Sequence, residues 1–133
     1  MIKGLAHLCF VVRDLETSLA FYRDMLGLTP AFDFINDKGH RYGVYLHLDG
    51  RHFIELFEGA VGPQPEKPTY HHFCLEVDDI NAAVADLRAK GVKATDPEFG
   101  RDNSWQCWLN DPDGNRIEMH CYTPTSWQAP WLK

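Results

Sequence analysis

Two segments of the chain share one alternation of hydrophobic and polar residues. In residues 4–12 apolar side chains recur at every second position, which predicts a β-strand with Val12 on one face and His7 on the other. The pattern returns in residues 71–80, where His72 takes the place of His7, 65 positions later. A repeat of this length indicates one supersecondary unit present twice, so two similar modules are expected.

A helix is expected after each of these strands. In both copies an aspartate precedes the first apolar residue, as a helix N-cap does, and apolar residues follow at helical spacing up to a glycine. The pattern consists of Asp14, Leu15, Leu19, Tyr22, Leu26 and Gly27 in the first copy, and of Asp79, Ile80, Val84, Leu87 and Gly91 in the second. The second helix is predicted over residues 80–90.

Three further strands follow each helix. Their predicted limits are 31–35, 41–48 and 52–57 in the first copy and 92–95, 104–109 and 116–121 in the second. Four strands alone leave one apolar face that must be buried. The predicted fold is therefore α+β, with two paired βαβββ modules, residues 1–58 and 70–122, forming a curled eight-stranded sheet within a single domain, 1–133. Residues 59–69, rich in proline, form the linker, and residues 123–133 form a tail.

The composition is that of an ordinary globular protein, with 44% hydrophobic and 24% charged residues among 133. The net charge is −6 and no run of lysine or arginine occurs, so neither nucleic acid nor a membrane surface is expected as a partner. No apolar run has membrane-spanning length, and the N-terminus enters the strand pattern directly, so a cytoplasmic location is expected. The four cysteines form no CxxC pair and are expected to be buried free thiols.

Two histidines and two glutamates occupy matching positions in the two modules. His7 and His72 lie in the first strands, and Glu55 and Glu118 lie between apolar neighbours in the last strands. On a half-buried strand, such a glutamate points away from its apolar neighbours. One such residue alone is more often a surface group, but four related by a repeat predict a divalent-metal site around which the sheet curls, since imidazole and carboxylate are common ligands. An octahedral ion would keep two places for water or substrate.

Motifs spread over residues 7–118 carry a family resemblance. They are His7-Leu-Cys-Phe-Val-Val-Arg-Asp-Leu, Phe21-Tyr-Arg-Asp-Met-Leu-Gly27, Phe53-Ile-Glu-Leu, His72-Phe-Cys-Leu-Glu-Val-Asp and Asp111-Pro-Asp-Gly-Asn-Arg-Ile-Glu118. By these motifs the chain resembles the vicinal oxygen chelate superfamily, which includes glyoxalase I (lactoylglutathione lyase), bleomycin resistance proteins, fosfomycin thiol transferases, methylmalonyl-CoA epimerase and extradiol dioxygenases.

The resemblance implies a metal site with His7, Glu55, His72 and Glu118 as ligands. Two histidines with two glutamates is the arrangement of bacterial glyoxalase I, whereas the epimerases carry glutamine at the position of Glu55. In this superfamily a divalent ion, here nickel, zinc, cobalt or manganese, chelates two neighbouring substrate oxygens while a carboxylate moves a proton. The resemblance therefore implies a metal-dependent lyase or isomerase acting on a small α-oxygenated substrate, with Glu118 and Glu55 as the catalytic residues.

Two positions depart from the lactoylglutathione lyase pattern. Where these lyases carry an arginine and an asparagine that help to hold glutathione, this chain has Val11 and Gly59. Loss of a bidentate partner should weaken recognition of glutathione by about 1 kcal/mol or more. Three alternatives therefore stay open: a metal-binding or ligand-sequestering protein without lyase activity, another isomerase or epimerase of the superfamily, and, as the least favoured, an iron oxygenase.

Some other polar residues are candidates for contact with substrate. Tyr45 and His47 share one strand face, and Arg101 lies in a loop where it would suit an anionic group. His120 lies close to the second module's edge strands. His71 is excluded as a ligand, because strand alternation would direct its side chain away from the face of the next residue.

Cys9 and Cys74 point the same way as the histidines two residues before them, and both are expected to pack rather than to act as nucleophiles. Modules of this superfamily pair within one chain or across two chains, and a homodimer is expected here. The tail contains Trp127 and Trp131, and it is expected to pack against the rest of the chain or against a second subunit.

Overall fold

The computed structural model describes all residues, 1–133, and contains the same series of elements twice. The strands are β1 (His7–Val12), β2 (Thr29–Ile35), β3 (Arg41–Asp49), β4 (His52–Glu58), β5 (Phe73–Glu76), β6 (Glu98–Phe99), β7 (Trp105–Asn110) and β8 (Arg116–Cys121). The helices are α1 (Leu15–Leu19), which continues as a π-helix over Ala20–Met25, and α2 (Ile80–Ala89), and a short 3₁₀ turn spans Ala129–Trp131.

Each half of the chain forms its own four-stranded mixed sheet with the same strand order. The first sheet has the order β1-β4-β3-β2 and the second has the order β5-β8-β7-β6. In both sheets the first strand is parallel to the last strand of its half, and the other pairs are antiparallel. The chain divides into two compact units, residues 1–63 (unit 1) and 64–133 (unit 2). The α+β fold built from two βαβββ modules is confirmed, with the eight strands distributed over two sheets.

Strand alternation gives each sheet one buried face. The buried side chains are Val12, Val44, Leu46, Ile54 and Leu56 in unit 1, and Leu75, Cys107, Leu109, Ile117 and Met119 in unit 2. Ile54 and Ile117 hold matching places, 63 positions apart, and both are 0% exposed. The candidate glutamate follows each isoleucine directly, so it points to the opposite face of the sheet.

The first helix begins as predicted but does not continue as a regular α-helix. Asp14 is its N-cap and accepts a hydrogen bond of 2.7 Å from the Thr17 N–H. After Leu19 the turns widen to π-type hydrogen bonds, such as the 2.9 Å bond from the Leu26 N–H to the Phe21 carbonyl. Gly27 then follows with φ of +81°, which closes the helix at the predicted residue.

The second helix agrees with the prediction to within one residue. Asp79 caps it by accepting a hydrogen bond of 3.0 Å from the Ala82 N–H, and Ile80, Val84 and Leu87 are its buried side chains. Gly91, with φ of +85°, follows its end. No helix of the protein is long and apolar enough to cross a membrane.

Two predicted strand limits in unit 2 are wrong. Residues 92–95 form no strand, and the edge strand of this sheet is only the two-residue β6. Val92 instead bonds back to the Leu87 carbonyl at the helix end, and Thr95 pairs with Trp108 partly through its hydroxyl. The first strand of the unit begins at Phe73 rather than at residue 71, so strand alternation does not apply to the two preceding histidines.

The two ends of the predicted linker bond to different units. Arg13 donates to the Val61 and Gly62 carbonyls at 3.4 and 3.2 Å, within unit 1. Gln64 donates to the Asp113 carbonyl at 3.1 Å, within unit 2. The division between units therefore falls inside the linker.

The tail is held to the loop before β7 by hydrogen bonds rather than by its tryptophans. The Trp127 N–H donates to the Asp102 carbonyl at 2.9 Å, and the Thr123 hydroxyl donates to the Asn103 carbonyl at 2.7 Å. The two tryptophans are largely exposed to solvent, Trp127 by 64% and Trp131 by 85%. The prediction that the tail contacts the rest of the chain is correct, and these contacts are polar.

Candidate metal centre

In unit 1 a histidine and a glutamate from adjacent parallel strands face each other. His7 Nε2 lies 3.6 Å from Glu55 Oε1, and their side chains are 41% and 16% exposed. The other ring nitrogen, Nδ1, is hydrogen-bonded at 3.1 Å to the hydroxyl of Tyr45, which stands directly opposite Glu55 on β3. One ring nitrogen is therefore held by a neutral partner, and the second is directed towards the carboxylate.

Unit 2 repeats this arrangement, but a different residue contacts the outer nitrogen, which is the ring nitrogen (Nδ1) that does not face the glutamate. His72 Nε2 lies 3.0 Å from Glu118 Oε2. The residue opposite Glu118 is Trp108, which has no hydroxyl, and its ring packs against the edge of the His72 ring at 4.7 Å between centroids. His71 contacts the outer nitrogen instead, with its Nδ1 at 2.7 Å from His72 Nδ1.

The expectation that strand alternation directs His71 away from His72 is wrong. The rings of His71 and His72 are in contact, with centroids 5.0 Å apart, so the two side chains lie on the same side. The reason is that the strand begins only at Phe73, and the irregular backbone before it does not alternate. His71 therefore belongs to the candidate site as a residue that holds a candidate ligand.

Glu118 is held by a second imidazole. His120, two residues along β8 and thus on the same face, places Nδ1 3.1 Å from Glu118 Oε1. Cys74 stands directly opposite Glu118 on β5. Ligand atoms of these three residues all lie within 4.8 Å of one another, and both Glu118 and His120 are 8% exposed. From the sequence His120 was only a candidate for substrate contact, although its i, i+2 spacing from Glu118 indicates a shared face.

A chain of polar contacts leads from this cluster to the tail. His120 Nε2 is buried without a hydrogen-bond partner, and Asp102 Oδ2 lies 3.6 Å from it. The Gln128 side-chain amide donates to the same oxygen at 2.6 Å. This hydrogen bond, together with that from the Ser104 N–H and the nearby imidazole, keeps the pKa of Asp102 below its ordinary value. The tail thus fixes the carboxylate that faces His120.

The two cysteines beside the glutamates are poor nucleophiles. Partial burial, with a hydrogen bond to Glu55 and the charge of its carboxylate, raises the pKa of the Cys9 thiol to about 11. Burial, with the charge of Glu118, raises the pKa of the Cys74 thiol to about 12. At neutral pH both groups are protonated, which agrees with the expectation that they do not act as nucleophiles. The expectation that all cysteines are buried is wrong, because Cys9 and Cys74 are exposed free thiols and only Cys107 is fully buried.

Of the predicted substrate contacts, Tyr45 lies at the candidate site and the other two do not contact its ligands. His47 packs its ring on Phe53 at 5.2 Å, and its Nε2 is hydrogen-bonded to the Gly50 carbonyl at 3.1 Å. Arg101 is exposed in the turn before β7 and makes no hydrogen bond or ion pair.

The two departures from the lyase pattern are neighbours in space. A Cβ atom built on Gly59 would lie 2.9 Å from Val11 Cγ1. Any larger residue at position 59 would therefore require the valine side chain to move. The place where the lyases carry two polar groups for glutathione is an apolar contact in this chain.

The sequence matches the family model described as "Glyoxalase/Bleomycin resistance protein/Dioxygenase superfamily" over residues 4–119. The chain belongs to this superfamily. Among its relatives, the uncharacterized protein YaeR of Escherichia coli K12 is 32% identical, over 90% of this chain and 96% of its own. The mitochondrial methylmalonyl-CoA epimerase of Homo sapiens is 31% identical, over 71% of this chain and 57% of its own. A glyoxalase family protein from Enterococcus faecalis has the same fold, with a TM-score of 0.77 and 21% identity, over 89% and 97% of the two chains.

The residues of each His–Glu pair fit a divalent cation of the kind this superfamily uses. In both units an imidazole nitrogen and a carboxylate oxygen lie within 3.6 Å of each other. In both units the outer ring nitrogen is engaged by a neighbour, the arrangement that fixes the orientation of metal-binding histidines. This donor set of nitrogen and oxygen suits nickel, zinc, cobalt or manganese.

Proposed function

We propose that this protein is a divalent-metal-dependent lyase or isomerase of the glyoxalase I type that transfers a proton on a small α-oxygenated substrate. The proposed ligands are His7, Glu55, His72 and Glu118. The observation that supports this most directly is the repeated arrangement of imidazole, carboxylate and outer nitrogen partner in the two units. When bound, the ion would act as a Lewis acid and stabilise negative charge on two neighbouring substrate oxygens.

Glu118 is the proposed proton carrier. Each of its two oxygens is within hydrogen-bonding distance of an imidazole. Glu118 Oε2 lies near His72 Nε2, and Glu118 Oε1 lies near His120 Nδ1. These contacts can orient the carboxylate towards a substrate carbon and hold it while the proton moves. Glu55 has one imidazole nitrogen nearby, His7 Nε2 at 3.6 Å, and is proposed mainly as a metal ligand.

The proposed substrate is not a glutathione adduct of the usual kind. The contact between Val11 and the Gly59 backbone leaves no charged or amide side chain at the two positions that hold glutathione in the lyases. Substrates without a thiol component, such as hydroxy acids or small sugars, are therefore favoured. An epimerase is the second candidate within this chemistry, because the human relative at 31% identity carries that name.

The test combines metal analysis with turnover. Protein stripped of metal is reloaded with nickel, zinc, cobalt or manganese and assayed with methylglyoxal and glutathione, and separately with methylglyoxal or α-hydroxy aldehydes without thiol. We expect bound metal and metal-dependent turnover, with the thiol giving little advantage. Absence of metal binding after reloading would contradict the proposal and favour a ligand-sequestering protein.

We also propose a homodimer in a cytoplasmic setting. The two tryptophans of the tail leave large apolar surfaces exposed in the single chain, as an association surface would. Sedimentation analysis of the wild type and of Trp127→Ser tests this directly. A monomer at micromolar concentration for the wild type would contradict it.

A further inference from the structure

Arg116 is held by an aromatic ring and an imidazole, whereas three other arginines of the chain are held by carboxylates. Arg23, Arg41 and Arg88 each form an ion pair with an aspartate or glutamate. The guanidinium of Arg116 instead lies 3.4 Å from a ring nitrogen, His71 Nε2. In a chain with a net charge of −6, an arginine held in this way leaves most of its N–H donors available to a ligand.

The position of this guanidinium is fixed by an aromatic ring. Its central carbon lies 4.1 Å from the centroid of the Trp108 ring. Stacking of this kind is favourable in itself and holds the planar fork in one orientation. Trp108 in turn packs against His72, so the arginine is connected to the candidate ligand through a rigid ring.

The side chain also lies on the face of β8 that carries the candidate site. Arg116 precedes Glu118 by two residues, a spacing of about 6–7 Å along a strand, and both side chains point the same way. His71 links them further, because its Nε2 approaches Arg116 and its Nδ1 approaches His72. An anion on Arg116 would therefore lie one small molecule's length from the proposed metal.

The surroundings of Arg116 form a recess rich in hydrogen-bond donors. It is lined by the end of the linker and the turn before β8, and its donors are Lys67, Tyr70, His71, Asn110, Asn115 and Arg116. One carboxylate, that of Glu66, lines it as well, against the two permanent cations. The recess is formed by unit 2 alone.

In unit 1 the position that corresponds to Arg116 carries no cation. Phe53 holds the position of Arg116, 63 residues earlier, and packs on Tyr45 as Arg116 packs on Trp108, with centroids 4.9 Å apart. The repeat thus keeps the stacked pair and replaces an apolar ring by a guanidinium in one unit only. A structural role for the stack does not require that change.

We infer that Arg116, held over Trp108 beside His71, binds an anionic carboxylate or phosphate group of the substrate whose oxygens reach the proposed metal. The part of this inference that concerns the metal rests on the proposed function. Carboxylates and phosphates both accept two parallel N–H bonds from a guanidinium, which is why the shared chemistry is an oxyanion. The substrate class is then a small α-oxygenated acid or phosphate ester.

The test is a titration of the ¹⁵N-labelled protein by NMR at constant ionic strength, with inorganic phosphate in one series and malonate in another. We expect the NMR signals of the Trp108 indole N–H and the Arg116 Nε–H to shift as anion is added, until the site is saturated. Arg116→Gln should weaken anion binding at least about tenfold. Arg51→Gln removes the same charge from the recess that Arg51 and Lys3 line in unit 1, and it should bind like the wild type. Tighter binding of one anion identifies carboxylate or phosphate as the preferred group.

Unchanged anion binding by Arg116→Gln would overturn the inference, and so would equal losses in Arg116→Gln and Arg51→Gln. Loss of binding in Arg101→Gln but not in Arg116→Gln would overturn it in favour of the arginine expected from sequence. Each titration is repeated with zinc-loaded and metal-free protein, and metal content is measured in every variant. Failure of zinc to bind contradicts the proposed function alone, whereas saturable anion binding lost in Arg116→Gln supports the anion site in either state.

Discussion

The two units have the same strand order and the same His–Glu pair, but they differ in what surrounds the pair. In unit 1 the neighbouring positions on the sheet face are aromatic, and the Phe57 ring lies so close over Gly43 that a Cβ there would be 2.5 Å from it. In unit 2 the position that corresponds to Phe57 is His120, and that of Phe53 is Arg116. The two copies thus share the candidate ligands, while two of the neighbouring positions carry phenylalanine in one copy and basic side chains in the other.

The two units also differ in the residue that contacts the outer nitrogen of the histidine. A tyrosine hydroxyl holds the outer nitrogen of His7, and the second copy has a tryptophan in the place of that tyrosine. The lost hydroxyl is replaced by His71, where the first copy has Ala6. Because the partner changed and the contact stayed, the orientation of the histidine is the property that both copies share.

The largest expected effect distinguishes the two glutamates. Glu118→Gln should lower metal-dependent turnover by about 10²–10⁴-fold, because it removes the proposed proton carrier, and Glu55→Gln should lower it by a smaller factor. Steady-state rates of metal-loaded variants, with folding checked by circular dichroism, measure both. Glu98→Gln, an exposed change on β6, is the control. Full turnover in both variants would contradict the proposed roles.

The buried faces should respond equally. Ile54→Ala and Ile117→Ala remove matching side chains that are 0% exposed, and each should reduce the free energy of unfolding by about 2–5 kcal/mol. Urea denaturation followed by circular dichroism measures the loss, with the exposed Ile35→Ala expected within about 0.5 kcal/mol of the wild type. A large effect in one unit only would show that the matching positions do not have matching roles.

The outer partners of the histidines should matter to a similar degree in both units. Tyr45→Phe removes the hydroxyl from His7 Nδ1, and His71→Ala removes the partner of His72 Nδ1. Each should weaken metal binding by about 10–100-fold, because the imidazole loses its fixed orientation. Competition titrations with a chromophoric chelator give the affinities, and Tyr42→Phe and His52→Ala make the same chemical changes away from the site. Affinities equal to those of the controls would rule out this orienting role.

The smallest expected difference lies in the two thiols. Since the pKa is raised to about 11 for Cys9 and about 12 for Cys74, the reactive thiolate forms only as pH rises towards these values. At a given lower pH, Cys74 should be alkylated by iodoacetamide about tenfold more slowly than Cys9. Peptide mapping by mass spectrometry measures each rate, with the urea-unfolded chain as the reference. Reaction of either native thiol at the unfolded rate would contradict the raised pKa values.

The repeat and the alternation within it were sufficient to predict most of the fold. The N-caps Asp14 and Asp79 and the strand β8 follow from local pattern, because capping and alternation depend on nearby residues. The prediction failed where long-range contacts decide the backbone. The pattern of residues 92–95 is that of a strand, but Thr95 pairs with Trp108 through one backbone and one side-chain hydrogen bond, and no pattern in the segment itself indicates that.

Sequence alone determined the two His–Glu pairs as candidates, because a repeat places equivalent residues at equivalent points of a sheet. Tertiary structure decided which residues support them. His71 joins the site because the backbone before β5 is irregular, and Arg116 approaches it because a guanidinium stacks on a ring from the neighbouring strand. Gln128, from the tail, holds Asp102 against His120. These contacts join residues distant in the chain, so they depend on how the strands and loops pack and not on any local periodicity.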